Sequence, residues 1–349
     1  MKSAPLTPDQ QARLQGYLAQ RPALGPETVH IDLINACNLN CVTCWNYAPG
    51  LATPKPASWK AQRMAASVFA RVLAEVAATG AQRIILSGGG EPFVHPRIHD
   101  FIGAVKAQGM TLTVISNGTL CDFERLADLQ VDQMLINMSS SSASTYVAYH
   151  PNQAEATFHQ LTQGLASVRG RIAINLVQVI NTLNAHELVD MLDLASQLGT
   201  RVSYKLGDTP PGTQSLALEP SQRHQLINDV IPRAIQRAKQ LGVKHNLPAF
   251  ADQLSQHTGQ TQPPACFAGY LYSRVYVDGR VFFCCEHIDV GHIDEAPFAE
   301  IWASPRYDAV RQRLHQGQSY PGCARCGKHD MNFTAAGQLA RLQSAGVEP

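Results

Sequence analysis

Between residues 29 and 206 the chain alternates between two hydrophobic periods. Short runs rich in Val, Ile and Leu recur at Val29 to Ile34, Arg83 to Leu86, Thr111 to Ser116, Gln133 to Met138, Ile172 to Ile180 and Arg201 to Leu206. Several are apolar on both faces, the pattern of parallel strands covered by helices. Between them apolar residues return at helical spacing. Met64, Val68, Val72 and Val76 mark a helix over Ala61 to Ala78, with Gly80 as its stop. Pro96 to Gln108, Phe123 to Leu129, Glu155 to Val168 and Ala185 to Leu198 follow, the last ending at a C-cap, Gly199. Six strand–helix units in series predict an α/β fold, a (β/α)6 partial TIM barrel. Right-handed crossovers bring its strand C-termini to one rim, where such sheets bind ligands.

The flanks read differently. One helix, about Pro8 to Gln20, precedes the first strand. After the sixth strand a helical segment runs from Pro220 to Leu241, and Pro232 is expected to kink or split it. From Cys266 onward there are short strands and turns, with a hairpin at Asp278-Gly279. The expected parts are a helical extension over 1–25, a core domain over 26–215, and a linker helix with a small domain over 216–349.

The chain has 349 residues, 45% hydrophobic and 16% charged, with net charge +1. That charge leaves no electrostatic footprint for nucleic acid or an anionic membrane surface. No apolar run reaches the roughly 18 residues that span a bilayer, and the start lacks the apolar core of a signal peptide. Nine cysteines in this context point to a reducing, cytoplasmic setting and metal ligation.

Cys37, Cys41 and Cys44 stand as C-x3-C-x2-C just after the first strand. An odd number of thiols cannot pair off in disulfides. Three thiolates at this spacing suit three irons of a four-iron cube and leave the fourth iron open to a small chelating molecule. Three buried apolar cysteines, or a zinc knuckle needing a fourth ligand, are the alternatives. One strand later comes Ser87-Gly88-Gly89-Gly90-Glu91-Pro92, and one strand after that Ser116-Asn117-Gly118-Thr119. Together these motifs resemble the radical S-adenosylmethionine (radical SAM) enzymes. The resemblance implies that the open iron binds the amino and carboxylate groups of SAM, and that one electron cleaves SAM to methionine and a 5′-deoxyadenosyl radical. It implies further that Gly89, Gly90, Glu91 and Asn117 help bind SAM, with Glu91 at its amino group. Glycines let backbone approach a ligand, and a carboxylate accepts hydrogen bonds from an ammonium. Asn175, Gln178, Asn181 and the backbone at Lys205 and Leu206 are further candidate nucleotide contacts, with little specificity. The family's aromatic residue before the third cysteine is here Thr43, which leaves Trp45 to supply the apolar surface for adenine.

The C-terminal region carries Cys266-x17-Cys284 and Cys323-x2-Cys326, with Gly279-x4-Cys284 inside the first gap. This resembles the auxiliary-cluster modules called SPASM and twitch. No cysteine follows Cys326, so the likeness is to the shorter, twitch-like version, with one auxiliary 4Fe–4S cluster on Cys266, Cys284, Cys323 and Cys326. A four-cysteine structural zinc is the rival reading. Alternation along a strand sends Cys284 and Cys285 to opposite faces, and the spacing selects Cys284. Cys121 and Cys285 remain as hydrogen donors to a substrate radical or as buried core. Ser139 to Ser142, Ser144, Tyr146, Tyr149 and His150 follow the fourth strand as candidate substrate contacts, or as N-cap and core residues. The expected activity is hydrogen abstraction from a small polar, sugar- or aminosugar-like substrate, with oxidation as the outcome. A sugar epimerase and a ribosomal-peptide-modifying enzyme are the alternatives, and a two-cluster electron-transfer protein is the non-enzyme alternative. The implied partners are the small-molecule or peptide substrate and a reductant such as flavodoxin or ferredoxin.

Overall fold

The computed structural model describes residues 5–257, 265–284 and 288–344. Among the described residues nine strands occur: β1 Thr28–Asp32, β2 Arg83–Ser87, β3 Thr111–Ser116, β4 Gln133–Asn137, β5 Ala173–Ile180, β6 Arg201–Leu206, β7 Tyr272–Val275, β8 Arg280–Phe282 and β9 Asp289–His292. They form one sheet in the order β6-β5-β4-β3-β2-β1-β7-β8-β9. β1 to β6 pair in parallel with their sequence neighbours, as the six expected units require. The crossover helices include Ala66–Ala78, Ile98–Ala107, Glu155–Ser167 and Asp190–Leu198. Gly199 ends the last of these in the left-handed region, at φ 68°.

Alternation gives the sheet two unlike faces. Val29, Ile31, Ile84, Leu86, Leu112 and Val114 are fully buried in the core with the helices. Intervening positions carry His30, Asp32, Thr113 and Asn175, which are buried but polar. The strands are therefore less apolar on their second face than a doubly covered sheet needs, because the partial barrel keeps an interior.

The C-terminal strands extend the core sheet. β7 pairs in parallel with β1, from Thr28↔Tyr272 to Ile31↔Val275, and β8 returns antiparallel. Gly279 makes that turn at φ 96°. One sheet thus runs across the division expected near residue 215. Pro232 does not split the segment as expected. The segment stays helical but widens to a π-turn over Leu226–Val230, because proline supplies no N–H to the preceding turn. The N-terminal helix Pro8–Leu18 lies beside the C-terminal region, with the Tyr17 and Phe267 rings 4.2 Å apart. Among the described residues no helix is long and apolar enough to cross a membrane.

Candidate cofactor and substrate site

A cavity of about 780 Å³ opens at the C-terminal ends of β1 to β4. Cys37, Cys41, Cys44, Gly88 to Glu91 and Asn117 all line it. The cysteine and glycine loops are zipped together there. Gly90 N–H donates to the Ile34 carbonyl at 3.1 Å, and Glu91 N–H to that of Ala36 at 2.8 Å. A Cβ on Gly88 would lie 2.2 Å from the Ile34 oxygen, and one on Gly90 1.9 Å from the Ala36 oxygen. The missing side chains are thus required by the chain's own close approach as well as by any ligand.

Glu91 is 3% exposed and spends its carboxylate on the chain itself. One oxygen accepts from Phe93 N–H at 3.1 Å and Ser116 Oγ at 2.8 Å; the other accepts from Asn117 N–H at 2.8 Å. Desolvation pushes its pKa up to about 7 against these donors. The Asn117 amide donates to Asn38 Oδ1 at 3.0 Å, inside the cysteine loop. Both side chains expected to contact SAM are thus braces among three loops, and both still border the cavity.

Further bonds fix the cysteine loop from its other side. Asn152 Nδ2 donates to the Asn38 carbonyl at 2.8 Å, and Val42 N–H donates to the Tyr149 carbonyl at 3.0 Å. Thr43 and Tyr149 share a buried hydroxyl–hydroxyl hydrogen bond. Thr43 therefore turns away from the cavity, while Trp45, 57% exposed, lines it.

The donor chemistry fits an iron–sulfur cluster. Burial pushes the Cys37 thiol up to about 12 and raises Cys41 and Cys44, and Cys41 is raised further by its two cysteine neighbours. Adjacent thiolates at such a site need a strongly cationic group against them. Among the described residues no three His, Cys, Asp or Glu side chains converge on a single metal ion; a cube, being larger, spaces its ligand sulfurs further apart.

The second cysteine set lies at the other end of the sheet. Cys266 precedes β7, and its thiol is pushed up to about 12 by burial, with Cys326 and Cys323 adding to the shift. Cys284 follows β8, and Cys284 and Cys266 both lie near Tyr307, whose hydroxyl pKa is raised mainly by burial. N–H groups point at two of the sulfurs: Tyr320 N–H at 3.3 Å from Cys323 Sγ and Asn332 Nδ2 at 3.8 Å from Cys326 Sγ. Cys285 lies outside the described residues.

Several expected contacts are placed elsewhere. Cys121 Sγ is 3.5 Å from Ser116 Oγ, behind Glu91, and does not line the cavity. The serine run is likewise set apart. Ser141 N–H donates to Glu187 at 2.7 Å, Ser142 Oγ binds the same carboxylate and caps the helix Ala143–Tyr149, and Ser139 and Ser140 are buried. His150 is buried with Nδ1 on the Tyr146 carbonyl at 2.9 Å. Asn175 binds Ser203 at 3.0 Å, Gln178 is buried, Asn181 Oδ1 caps its own turn at Leu183 N–H, and Lys205 pairs with Asp330 at 2.5 Å. None of these borders the cavity.

Other residues take their place. Lys55 and Trp59, from the segment after the cysteines, and Arg274, Tyr276, Arg280, Phe282 and Asp289, from β7 to β9 and their turn, also line the cavity. Lys55 stands over Trp59, and Arg280 over Tyr276 and Phe282, 5.3 to 5.5 Å from the ring centroids. Arg274 grips fully buried Asp32 with two bonds, at 2.6 and 3.0 Å. Against the penalty of burial it holds that carboxyl well below the usual range. The glycine turn at residue 279 signals the hairpin, but no local pattern signals that β7 will join β1.

The family models cover both cysteine sets. The Radical SAM superfamily model matches residues 31–195, and that of an iron–sulfur cluster-binding domain, SPASM, matches residues 266–327. The chain carries a radical SAM domain and a SPASM domain. Its cofactors are S-adenosylmethionine and 4Fe–4S clusters, one kind at the radical SAM domain and the auxiliary kind at the SPASM domain. The chain is 24% identical over 341 residues to the AdoMet-dependent heme synthase of Methanosarcina barkeri, covering 92% of this chain and 93% of that one. It is 23% identical over 332 residues to the tungsten-containing aldehyde ferredoxin oxidoreductase cofactor-modifying protein of Pyrococcus furiosus, covering 86% and 87%. Among solved structures, Streptococcus suis SuiB bound to its precursor peptide SuiA superposes with a TM-score of 0.66 at 15% identity, covering 95% of this chain and 77% of that one.

Proposed function

We propose that this radical SAM enzyme is an oxidoreductase with two clusters. Cys37, Cys41 and Cys44 hold the SAM-binding 4Fe–4S cluster; Cys266, Cys284, Cys323 and Cys326 hold one auxiliary 4Fe–4S cluster. One observation carries the reading. The cysteine trio and the glycine loop face a single cavity whose opposite wall is built by the strands leading to the second cysteine set. Bound at the trio, the cluster supplies the electron that splits SAM and yields the 5′-deoxyadenosyl radical. The chain does the positioning. Gly88 to Gly90 offer backbone to SAM, Glu91 and Asn117 hold the loops in place, and Trp45 offers an exposed ring for adenine.

The substrate reading follows the wall. Trp59, Tyr276 and Phe282, with Lys55 and Arg280, suit a substrate with a flat apolar face and a polar or anionic edge. The sugar-like reading draws on the twitch-like likeness of the C-terminal module, and its secondary support, the serine run, is turned to Glu187. The relatives' names, a heme synthase and a cofactor-modifying protein, favour a small cofactor-type molecule. Oxidation is favoured over epimerisation because Cys121, one of the two candidate hydrogen donors, does not line the cavity. Held by Cys266, Cys284, Cys323 and Cys326, an auxiliary cluster would supply the acceptor for the electron left on the substrate. A flavodoxin- or ferredoxin-type reductant in the cytoplasm, where thiols stay reduced, supplies the first electron.

Anaerobically reconstituted protein given dithionite and SAM is expected to release 5′-deoxyadenosine, and Cys41→Ala to abolish that release. With a substrate, the product should be two hydrogens lighter and carry no solvent deuterium. A product of unchanged mass that takes up deuterium overturns oxidation.

A further inference from the structure

We infer that Tyr276 is a positioning residue that couples the auxiliary domain to the SAM site; the inference rests on the two cluster assignments above. Tyr276 directly follows β7, at the tip of the β7–β8 hairpin. Towards the base of that hairpin stand Cys266, ahead of the short helix Ala268–Leu271 that leads into β7, and Cys284, just after β8. The hairpin is therefore a short lever, with auxiliary-cluster ligands at one end and the cavity wall at the other.

At the tip a chain of hydrogen bonds leads to the cysteine loop. The Tyr276 hydroxyl accepts from Trp59 Nε1 at 2.9 Å and donates to Asn35 Oδ1 at 3.3 Å. Asn35 is fully buried and stands two residues before Cys37. Its Nδ2 donates to the Trp59 carbonyl at 3.2 Å and to Gln62 Oε1 at 2.9 Å. Its N–H donates to the Gln62 carbonyl at 3.0 Å, and its own carbonyl accepts from Tyr47 at 2.7 Å. Every polar group of Asn35 is thus engaged. Its Oδ1 also lies 2.4 Å from where a Cβ on Gly89 would sit. A displaced hairpin tip drags Asn35, and Asn35 abuts both Cys37's loop and the glycine loop. Sequence alone gives Tyr276 and Asn35 no connection, since 241 residues separate them.

A double-mutant cycle tests the coupling. The readout is SAM affinity, followed by the change SAM makes in the EPR spectrum of the reduced cluster on Cys37, Cys41 and Cys44. Iron content is measured first. Removing the auxiliary cluster with Cys323→Ala and Cys326→Ala is expected to weaken SAM binding about fivefold, the worth of one buried hydrogen bond. Tyr276→Phe, with both clusters loaded, is expected to cost about the same, and the combination no more than either alone. If the two effects multiply, or if Tyr276→Phe binds SAM as wild type does, the coupling is overturned. Should Tyr276→Phe fail to take up iron, Trp59→Phe breaks the same chain one bond away and must give the same non-additivity. Wild-type protein holding iron for one cluster only overturns the cluster assignments instead.

Discussion

Gly90 separates two reasons for a glycine at this site. In Gly90→Ala the new Cβ would meet the Ala36 oxygen at 1.9 Å and the Asn35 oxygen at 2.4 Å, both backbone atoms with no rotamer to change. To reach the 3.0 Å that real contacts tolerate, the Ala36 carbonyl must retreat by about 1.1 Å. That breaks the Gly90–Ile34 and Glu91–Ala36 hydrogen bonds, costing about 2 kcal/mol, and moves Cys37, the next residue. A displacement of ~1 Å in a positioning group can cost about a hundredfold in rate. The control is Gly103→Ala in the helix Ile98–Ala107, where a Cβ meets nothing within 4 Å. There the exchange should stabilise by up to about 1 kcal/mol. The assay is iron per chain after anaerobic reconstitution, followed by SAM-dependent 5′-deoxyadenosine release. Gly90→Ala should fall well below wild type in both, and Gly103→Ala should match it. Full iron and full release from Gly90→Ala would refute the claim that the two loops are held at contact distance.

Three further outcomes follow. Glu91→Gln leaves the Asn117 N–H facing an amide, so chain stability should drop by about 2–4 kcal/mol in a denaturant titration; an unchanged midpoint would show that Glu91 is not the brace. Burial pushes His150 from the ordinary 6.5 down to about 4. The folded state therefore binds fewer protons between those values, and the contribution present above pH 6.5 is lost as pH falls through 4, about 3 kcal/mol at most. Urea midpoints of wild type should fall across that window more than those of His150→Leu, and parallel profiles would contradict the burial of a neutral imidazole. Cys121→Ser should retain substrate turnover, because its sulfur lies beside Ser116 outside the cavity; an accumulated substrate radical in that variant would restore Cys121 as a donor.

The six strand–helix units were legible because each announces itself locally. β3 and β6 begin and end where the apolar runs do, and Gly199 caps the helix it was expected to cap. The cysteine spacings were legible because ligand sets keep fixed offsets. What the sequence hid is long-range. Nothing near Tyr272 states that it will pair beside Thr28, yet that pairing supplies Arg274, Tyr276, Arg280 and Phe282 to the cavity. The serine run looked like a substrate surface until Glu187, 45 and 46 residues later, claimed Ser142 and Ser141. Glu91 was found by motif, but its partners Ser116 and Asn117 come from a different loop. Asn35 carried no signal, because an asparagine after a strand is common and its worth lies in neighbours 24 to 241 residues away.

The most direct test of the two-cluster account is the metal and sulfide content of protein purified and reconstituted without oxygen. Wild type should hold about eight irons and eight sulfides per chain, the content of two 4Fe–4S clusters. Changing Cys37, Cys41 and Cys44 together to Ala should leave about half of each, and so should changing Cys266, Cys323 and Cys326. Only the protein that keeps the first trio should change its EPR spectrum on adding SAM. Stoichiometric zinc with iron for a single cluster, or a SAM response that survives loss of Cys37, Cys41 and Cys44, would contradict it.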